Sequence, residues 1–295
     1  MQHLDKFLNF LQFEKRFSRH TQISYNTDLK QFSDFICKEF NCLNPEEVNF
    51  RMVRKWIVKL MDQGESSRTV NRKLSALKSF YKFLQKDGIV KSNPLDKITA
   101  PKVSKRLPVF VDEKQMDVLL DDVEFGDDFN GNRNKLIVEM FYFTGIRLSE
   151  LINLKTSDID FHNLTIKVLG KRNKERIVPV NNNFMDRIND FIKFKNNELI
   201  NIETDNLFTS KSGKKLYSKA VYRIINAYLK MVTPLEKRSP HVIRHTFATH
   251  MLNHGADLNA IKELLGHANL SATQVYTHNT FEKLTRIYKQ AHPRA

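Results

Sequence analysis

A chain of 295 residues with 41% hydrophobic content can bury two modest cores, and no stretch is long and apolar enough to span a bilayer. Its 48 lysines and arginines against 33 acids leave a formal charge of +15, which favours a polyanionic partner, nucleic acid first, because neutralised phosphates release counterions. Residues 1–107 hold 21 basic and 11 acidic side chains (+10) and residues 108–295 hold 27 and 22 (+5), so the excess is denser in the first part, although charge alone equally suits RNA or an anionic surface. The N-terminus, MQHLDKFLNF, has no cationic segment followed by an apolar run and a cleavage site, so a cytoplasmic protein is expected. Cys37 and Cys42 form neither a zinc nor a redox motif, which fits a reducing compartment.

Leu4, Phe7, Leu8 and Leu11 recur at helical spacing. A second helix starts near Ser18 or Thr21 and runs through Tyr25, Leu29, Phe32 and Ile36. A third covers about Arg51 to Met61, and a fourth runs from Ser67 through Val70, Leu74, Leu77 and Tyr81 to Leu84. Together they read as a small helical bundle. Trp56, with Met52 and Leu60 four residues away on either side, reads as core and not as a stacking platform for bases. Arg68, Arg72, Lys73 and Lys78 fall on or beside the faces that the apolar stripe of the fourth helix leaves free, so exposure is expected. Phosphate contact or plain solvation would both fit that placement. Asn93 to Pro108, with Pro101 and the cluster Lys102, Lys105 and Arg106, has no sustained apolar period and reads as a linker.

A helix from about Asp112 to Leu120 opens the second domain, followed by a loop from Asp121 to Asn132. Its acids, Asp121, Asp122, Glu124, Asp127 and Asp128, lack a rigid element to converge them on a cation, so a solvated loop is expected instead of a two-metal site. Helical spacing from Arg133 to Phe143 ends at Gly145, suited to a left-handed cap, and a new helix starts around Arg147 to Ser149. There the Arg147 side chain and the helix-start amides can hold one anion together, or Arg147 can simply pair with Glu150. Leu164, Ile166 and Val168 alternate as a strand, GKRNKE turns, and Arg176 to Val180 returns, giving a β-hairpin with Lys171 at its tip. Arg172, Lys174 and Arg176 lie close by, as in an ordinary phosphate-binding loop. His241 and Arg244, three apart, share one side of a helix opened by Pro240. His245, His250 and His254 lack the carboxylate or thiolate that would complete a zinc set, and His250 and His254 read as core or surface. Leu264-Leu265-Gly266 ends a helix, His267 follows at the turn, and Tyr276 comes nine residues later.

Arg147, Lys171, His241, Arg244, His267 and Tyr276 thus supply two guanidiniums, an amine, two imidazoles and a phenol. This set suits metal-free and cofactor-free attack on a phosphodiester: the arginines clamp the phosphate by bidentate hydrogen bonds and the tyrosine oxygen is the nucleophile.

The segments TGIRLSEL (Thr144 to Leu151), GKRNKER (Gly170 to Arg176), HVIRHTFATHML (His241 to Leu252) and LLGHANLSATQVYTH (Leu264 to His278) resemble the tyrosine recombinase (phage integrase) family, and within it the Xer type. The stretch from Leu4 to Leu84 resembles that family's core-DNA-binding domain. The resemblance implies a mainly α fold with a small β-sheet or hairpin. Its parts would be an N-terminal helical SAM-like core-binding domain (1–92), a linker (93–108) and a C-terminal catalytic domain (109–295), closing as a C-shaped clamp on double-stranded DNA. The six residues above become the catalytic set, with Tyr276 as nucleophile and Lys171 as the acid that protonates the departing 5′ oxygen; Lys174 is the second choice for that acid. Arg68, Arg72, Lys73, Arg172 and Lys174 become candidate DNA contacts, and Glu150 orients a neighbouring basic residue. Ile243 stands where the family usually has leucine, and Asn134 where aspartate often follows arginine. The resemblance further implies a homotetramer, or a heterotetramer with a paralogue, linked by a C-terminal tail (Thr280 to Tyr288) that docks on the neighbouring protomer. A septal DNA translocase is an expected partner and a membrane is not. The implied role is chromosome dimer resolution at a dif-like site. A mobile-element integrase or invertase, or a non-catalytic DNA-binding paralogue, are the alternatives.

Overall fold

Ser18, Asn49 and Ser66 each stand just ahead of an apolar-periodic stretch, and the oxygen of each side chain accepts from backbone amides that a helix start leaves unpaired. The structure, a computed structural model, describes residues 3–104, 109–170, 174–200, 202–266 and 278–295. The chain divides into two units, Met1–Arg106 and Leu107–Ala295.

The first unit is built from α1 (Leu4–Asn9), which continues as a π-helical turn to Glu14, α2 (Arg19–Phe40), α3 (Phe50–Asp62) and α4 (Ser67–Lys86). Their apolar stripes meet in a core that holds Phe7, Leu11, Leu29, Phe32, Trp56, Leu77, Phe80, Tyr81 and Leu84. Trp56 meets the Phe32 ring edge-on at 4.9 Å between centroids, so it is a packing residue. Each of these large side chains contributes roughly 2 kcal/mol by leaving water. Asn93 and Leu95, at the start of the segment expected to link the domains, are buried in this unit. Asn71 of α4 donates to the Pro101 carbonyl at 2.9 Å, tying down the following stretch.

The second unit begins with α5 (Glu113–Asp121) and α6 (Phe129–Thr144). The sequence expectation started this second helix at Arg133; it begins a turn earlier because the Asp128 carboxylate accepts from the Gly131 amide at 2.8 Å. Asp128 is therefore a cap and not a solvated loop acid. Phe129, Leu136, Ile137, Val138, Phe141, Tyr142 and Phe143 are buried around most of α6, as expected of a helix at the centre of a domain. Short α7 (Leu148–Asn153) leads into a three-stranded antiparallel sheet, β1 (Ile159–Asp160), β2 (Thr165–Leu169) and β3 (Glu175–Pro179), in that order. The β2–β3 pair is the expected hairpin, with Thr165 opposite Pro179 and Leu169 opposite Glu175. Strand β1 was not foreseen. There follow α8 (Asn182–Glu198), α9 (Ser218–Val232), α10 (Pro240–Asn253), α11 (Leu258–Leu265) and α12 (His278–Ala291). Among the described residues no helix is long and apolar enough to cross a membrane.

The family resemblance places the C-terminal segment on a neighbouring protomer. In the structure it packs on its own second unit: Leu284, Tyr288 and Ala291 of α12 are buried with Phe247, Met251, Ile261 and Leu264 of α10 and α11. Beyond α12, the Arg294 guanidinium reaches Asp117 at 3.1 Å and Asp121 at 2.9 Å. Asp121, too, is thus more than a solvated loop acid.

His292 lies in the same interface. Its Nε2 donates to the Tyr142 carbonyl at 3.1 Å and its Nδ1 accepts from the Arg294 amide at 3.1 Å, so the ring is neutral. Burial lowers its pKa to about 4. His250, whose Nε2 donates to the Val111 carbonyl and whose Nδ1 accepts from the Tyr142 hydroxyl, has its pKa lowered by burial as well. A histidine held neutral in the fold binds fewer protons than its unfolded counterpart, so its stabilisation is complete above the unfolded pKa of about 6.5 and is lost as pH falls toward the folded value. For His292 the loss is on the order of 3 kcal/mol at full protonation. Thermal melting of the full chain should drop between pH 6.5 and pH 4, and His292→Gln should flatten part of that drop; a variant with the wild-type slope would remove His292 from the account.

Candidate active site

Helix α6 ends at Gly145, whose φ of 58° and crowded surroundings both exclude a side chain: a Cβ would stand 2.6 Å from Phe247 Cδ1 and 2.8 Å from Leu265 Cδ2. This close crossing brings the end of α6 onto α10 and α11. Two residues later Arg147 occupies the N-cap of α7. The anion at this helix start is the chain's own: Glu150 accepts the Arg147 amide at Oε2 and the Arg147 guanidinium at Oε1, both at 2.7 Å. Arg147 thus makes the pairing with Glu150 that the sequence offered as the plainer alternative to an external anion. Arg147 remains partly exposed, and its Nη2 donates to the Gly266 carbonyl at 2.8 Å.

Arg244, on the buried side of α10, donates to the Gly145 carbonyl and, at 2.6 Å, to the Leu265 carbonyl. Arg176, on β3, donates from Nε to the Leu264 carbonyl at 2.7 Å and grips both oxygens of Glu150 at 3.0 and 2.8 Å. Three guanidiniums thus take the three consecutive carbonyls of Leu264, Leu265 and Gly266. The first two are the last carbonyls of α11 and the third belongs to its C-cap, Gly266, at the end of a helix that carries partial negative charge. Among the described residues these contacts use two of the five N–H groups of each of Arg147 and Arg244.

The charges are strongly coupled. Burial lowers the Arg244 pKa to about 9, helped by the positive charges of Arg147 and Arg176. Burial alone would raise Glu150, but the hydrogen bond and charge of Arg176, and then the contacts from Arg147, bring it down to about 2. Glu150 is a fixed anion. His241 sits at the start of α10 with its ring reaching solvent; partial desolvation, then Arg244, His245 and Arg147, hold its pKa below the ordinary imidazole value.

Of the expected catalytic residues, Arg147, His241 and Arg244 are therefore brought to one place, while Lys171, His267 and Tyr276, together with Arg172, lie outside the described residues. Arg176 is the residue that sequence reasoning misjudged: grouped with Arg172 and Lys174 as loop charge, it is buried. The signal for this was the strand period, because Val178 and Val180 face the core and the alternation carries Arg176 to the same side. His250 and His254 serve the interface with Tyr142 and a surface contact to Glu113, respectively.

On α4, Arg68, Arg72 and Lys78 are exposed, as is Lys174 beside the hairpin turn. Lys73 corrects the expectation of exposure: it is buried, and its ammonium is held by Gln31 and, at 3.4 Å, by Asp28 of α2. The helical positions next to the stripe face α2, and an amine there needs a carboxylate to be buried at all. Asp28 also receives Arg72, whose guanidinium reaches Ser24 as well.

An N-terminal bundle, and a helical unit with a small sheet that gathers arginines around a carbonyl end, are the architecture of DNA-cutting and DNA-joining recombinases. The crystal structure of XerA recombinase is 27% identical, with a TM-score of 0.50 and complete coverage of both chains. XerH recombinase bound to palindromic difH substrate shares the fold at 23% identity, with a TM-score of 0.72 over 98% of this chain and 81% of that one. Residues 109–283 match the phage integrase family, and residues 4–88 match the phage integrase N-terminal SAM-like domain. The tyrosine recombinase XerC of Staphylococcus carnosus is 39% identical over 99% of this chain and 97% of its own, and that of Anoxybacillus flavithermus is 39% identical over 99% and 98%. The chain belongs to the phage integrase family, and is a site-specific tyrosine recombinase of the Xer type.

Proposed function

We propose that this chain cuts and rejoins double-stranded DNA through a 3′-phosphotyrosyl intermediate, with Arg147, Lys171, His241, Arg244, His267 and Tyr276 as its catalytic residues. The observation that carries the proposal is the meeting of Arg147 and Arg244 on the adjacent carbonyls of Gly266 and Leu265, directly before His267 in the sequence. Two guanidiniums held so close by the protein invite a phosphate between them.

In this reading the Tyr276 oxygen attacks phosphorus. A free phenol, with a pKa of about 10, is only ~0.1% ionised near neutral pH, so a base must take its proton. His241 suits that role because its lowered pKa keeps the imidazole neutral, and therefore basic, at neutral pH. Arg147 and Arg244 carry the non-bridging oxygens through the trigonal-bipyramidal transition state, and His267 hydrogen-bonds one of them. The bond to the 5′ oxygen breaks and that oxygen takes its proton from Lys171, leaving a 5′ hydroxyl. The ester keeps the energy of the broken bond, so rejoining to a new 5′ end consumes no nucleotide.

The first unit acts as the core-DNA-binding domain, joined through residues 93–108, with Arg68, Arg72, Arg172 and Lys174 as phosphate contacts. Lys73 contributes indirectly by holding Asp28. Strand exchange takes four protomers on two duplexes, either identical or paired with a paralogue. The relatives named XerC support the Xer assignment; on that basis the proposed role is chromosome dimer resolution at a dif-like site in the cytoplasm, with a septal DNA translocase as the proposed partner.

A duplex site can be selected by binding to this protein from a randomised pool and then nicked beside the cleavage position to trap the intermediate. Incubation should give a denaturant-resistant adduct, and digestion followed by mass spectrometry should find the nucleotide on Tyr276. An adduct on another residue, or none from a chain that binds the duplex, would overturn the proposal.

A further inference from the structure

The carboxylate of Glu150 is the meeting point of the site, and Arg176 is what fixes it. Arg176 is 5% exposed, so its side chain is turned into the protein. Its fork spans both Glu150 oxygens while its Nε holds the Leu264 carbonyl. Glu150 in turn receives the amide and guanidinium of Arg147. The pair also underlies two backbone turns. A Cβ on Gly266 would stand 3.1 Å from Arg176 Cδ, and one on Gly170 would stand 3.5 Å from Glu150 Oε1 and 3.8 Å from Arg176 Nη1. Gly266 leads in sequence to His267, and Gly170 to Lys171.

A buried ion pair of this kind adds little net stability over an apolar pair of the same volume, because desolvation offsets its attraction. It does supply direction. A planar fork on a carboxylate fixes the plane of that carboxylate, and the Glu150 oxygens are then aimed at Arg147.

We propose that Arg176 is a positioning residue for DNA cleavage: through Glu150 it sets the Arg147 guanidinium, and through Leu264 it sets the carbonyl end of α11 on which Arg244 rests. This rests on the catalytic reading given under Proposed function.

The test uses the full chain and the nicked duplex selected above. Arg176→Lys keeps the charge and removes the fork. It should bind the duplex within about twofold of wild type, reach a similar final amount of adduct, and form it about 10- to 100-fold more slowly at saturating DNA, the loss expected for a misplaced contact of about an ångström. Glu150→Gln should slow adduct formation too, and adding Arg176→Lys to it should cost less than Arg176→Lys costs alone, because both act through one contact. A wild-type rate constant for Arg176→Lys overturns the proposal. So does a loss confined to the final amount of adduct, since that marks a smaller folded fraction and not slower chemistry. If the Lys variant does not fold, Glu150→Gln decides in the same way. Failure of the wild-type chain to form any adduct, or equal adduct from Tyr276→Phe, would bring down the catalytic reading itself and this inference with it.

Discussion

Tyr276→Phe should abolish the covalent DNA adduct and lower recombination by at least about 10⁴-fold, while DNA affinity should stay within about twofold of wild type. The substitution deletes a single oxygen. It keeps the ring and whatever packing the ring makes, so a loss of reaction without a loss of binding isolates the nucleophile. Tyr288→Phe is the contrasting control. Tyr288 is buried on α12, burial raises the pKa of its phenol, and its hydroxyl has no hydrogen-bond partner among the described residues. Removing that oxygen should leave cleavage intact and stability equal or slightly higher, because an unpaired buried hydroxyl costs about 1–3 kcal/mol. Single-turnover adduct assays on the two phenylalanine variants, read beside gel-shift affinities, make the comparison. Normal recombination by Tyr276→Phe would end the covalent mechanism.

Arg244→Ala carries the second large effect, and it has two separable parts. Loss of a guanidinium from the transition state should slow cleavage about 10³-fold. Loss of the donors to Gly145 and Leu265 strands two carbonyls in a buried site and should lower stability by about 2 kcal/mol. Arg244→Lys should restore part of the stability and little of the rate, since an ammonium cannot serve two carbonyls and a phosphate in one plane. Denaturant titration reads the first part and single-turnover cleavage the second. Cleavage by Arg244→Ala at the wild-type rate would remove Arg244 from the catalytic set.

Much of the fold was legible because local signals agreed. Ser18 and Ser66 cap where apolar period begins, Gly145 stops α6 where a left-handed residue is needed, and the alternation Leu164, Ile166, Val168 marks the hairpin. Helices α8 and α9 were not foreseen, and α9 opens at Tyr217 without a side-chain cap to mark its start. The early start of α6 depended on one capping bond from Asp128. At the site, sequence order alone grouped Arg147, His241 and Arg244. What it could not supply was direction. Whether Arg176 or Lys73 points to solvent or to a carboxylate depends on Glu150 and Asp28, partners 26 and 45 residues away. Charge counts treat all such cations alike, and only packing sorts them.

Three guanidiniums, those of Arg147, Arg176 and Arg244, gather around the single carboxylate of Glu150. These guanidiniums repel one another, and the helix-end carbonyls they donate to carry part of the counter-charge. Small oxyanions should act as folding ligands: in phosphate or sulfate the catalytic unit should melt at a higher temperature than in chloride of equal ionic strength, and Arg244→Ala should respond less. In the proposed mechanism the phosphate of a DNA backbone sits between Arg147 and Arg244, so cognate DNA should raise the melting temperature as the small oxyanions do.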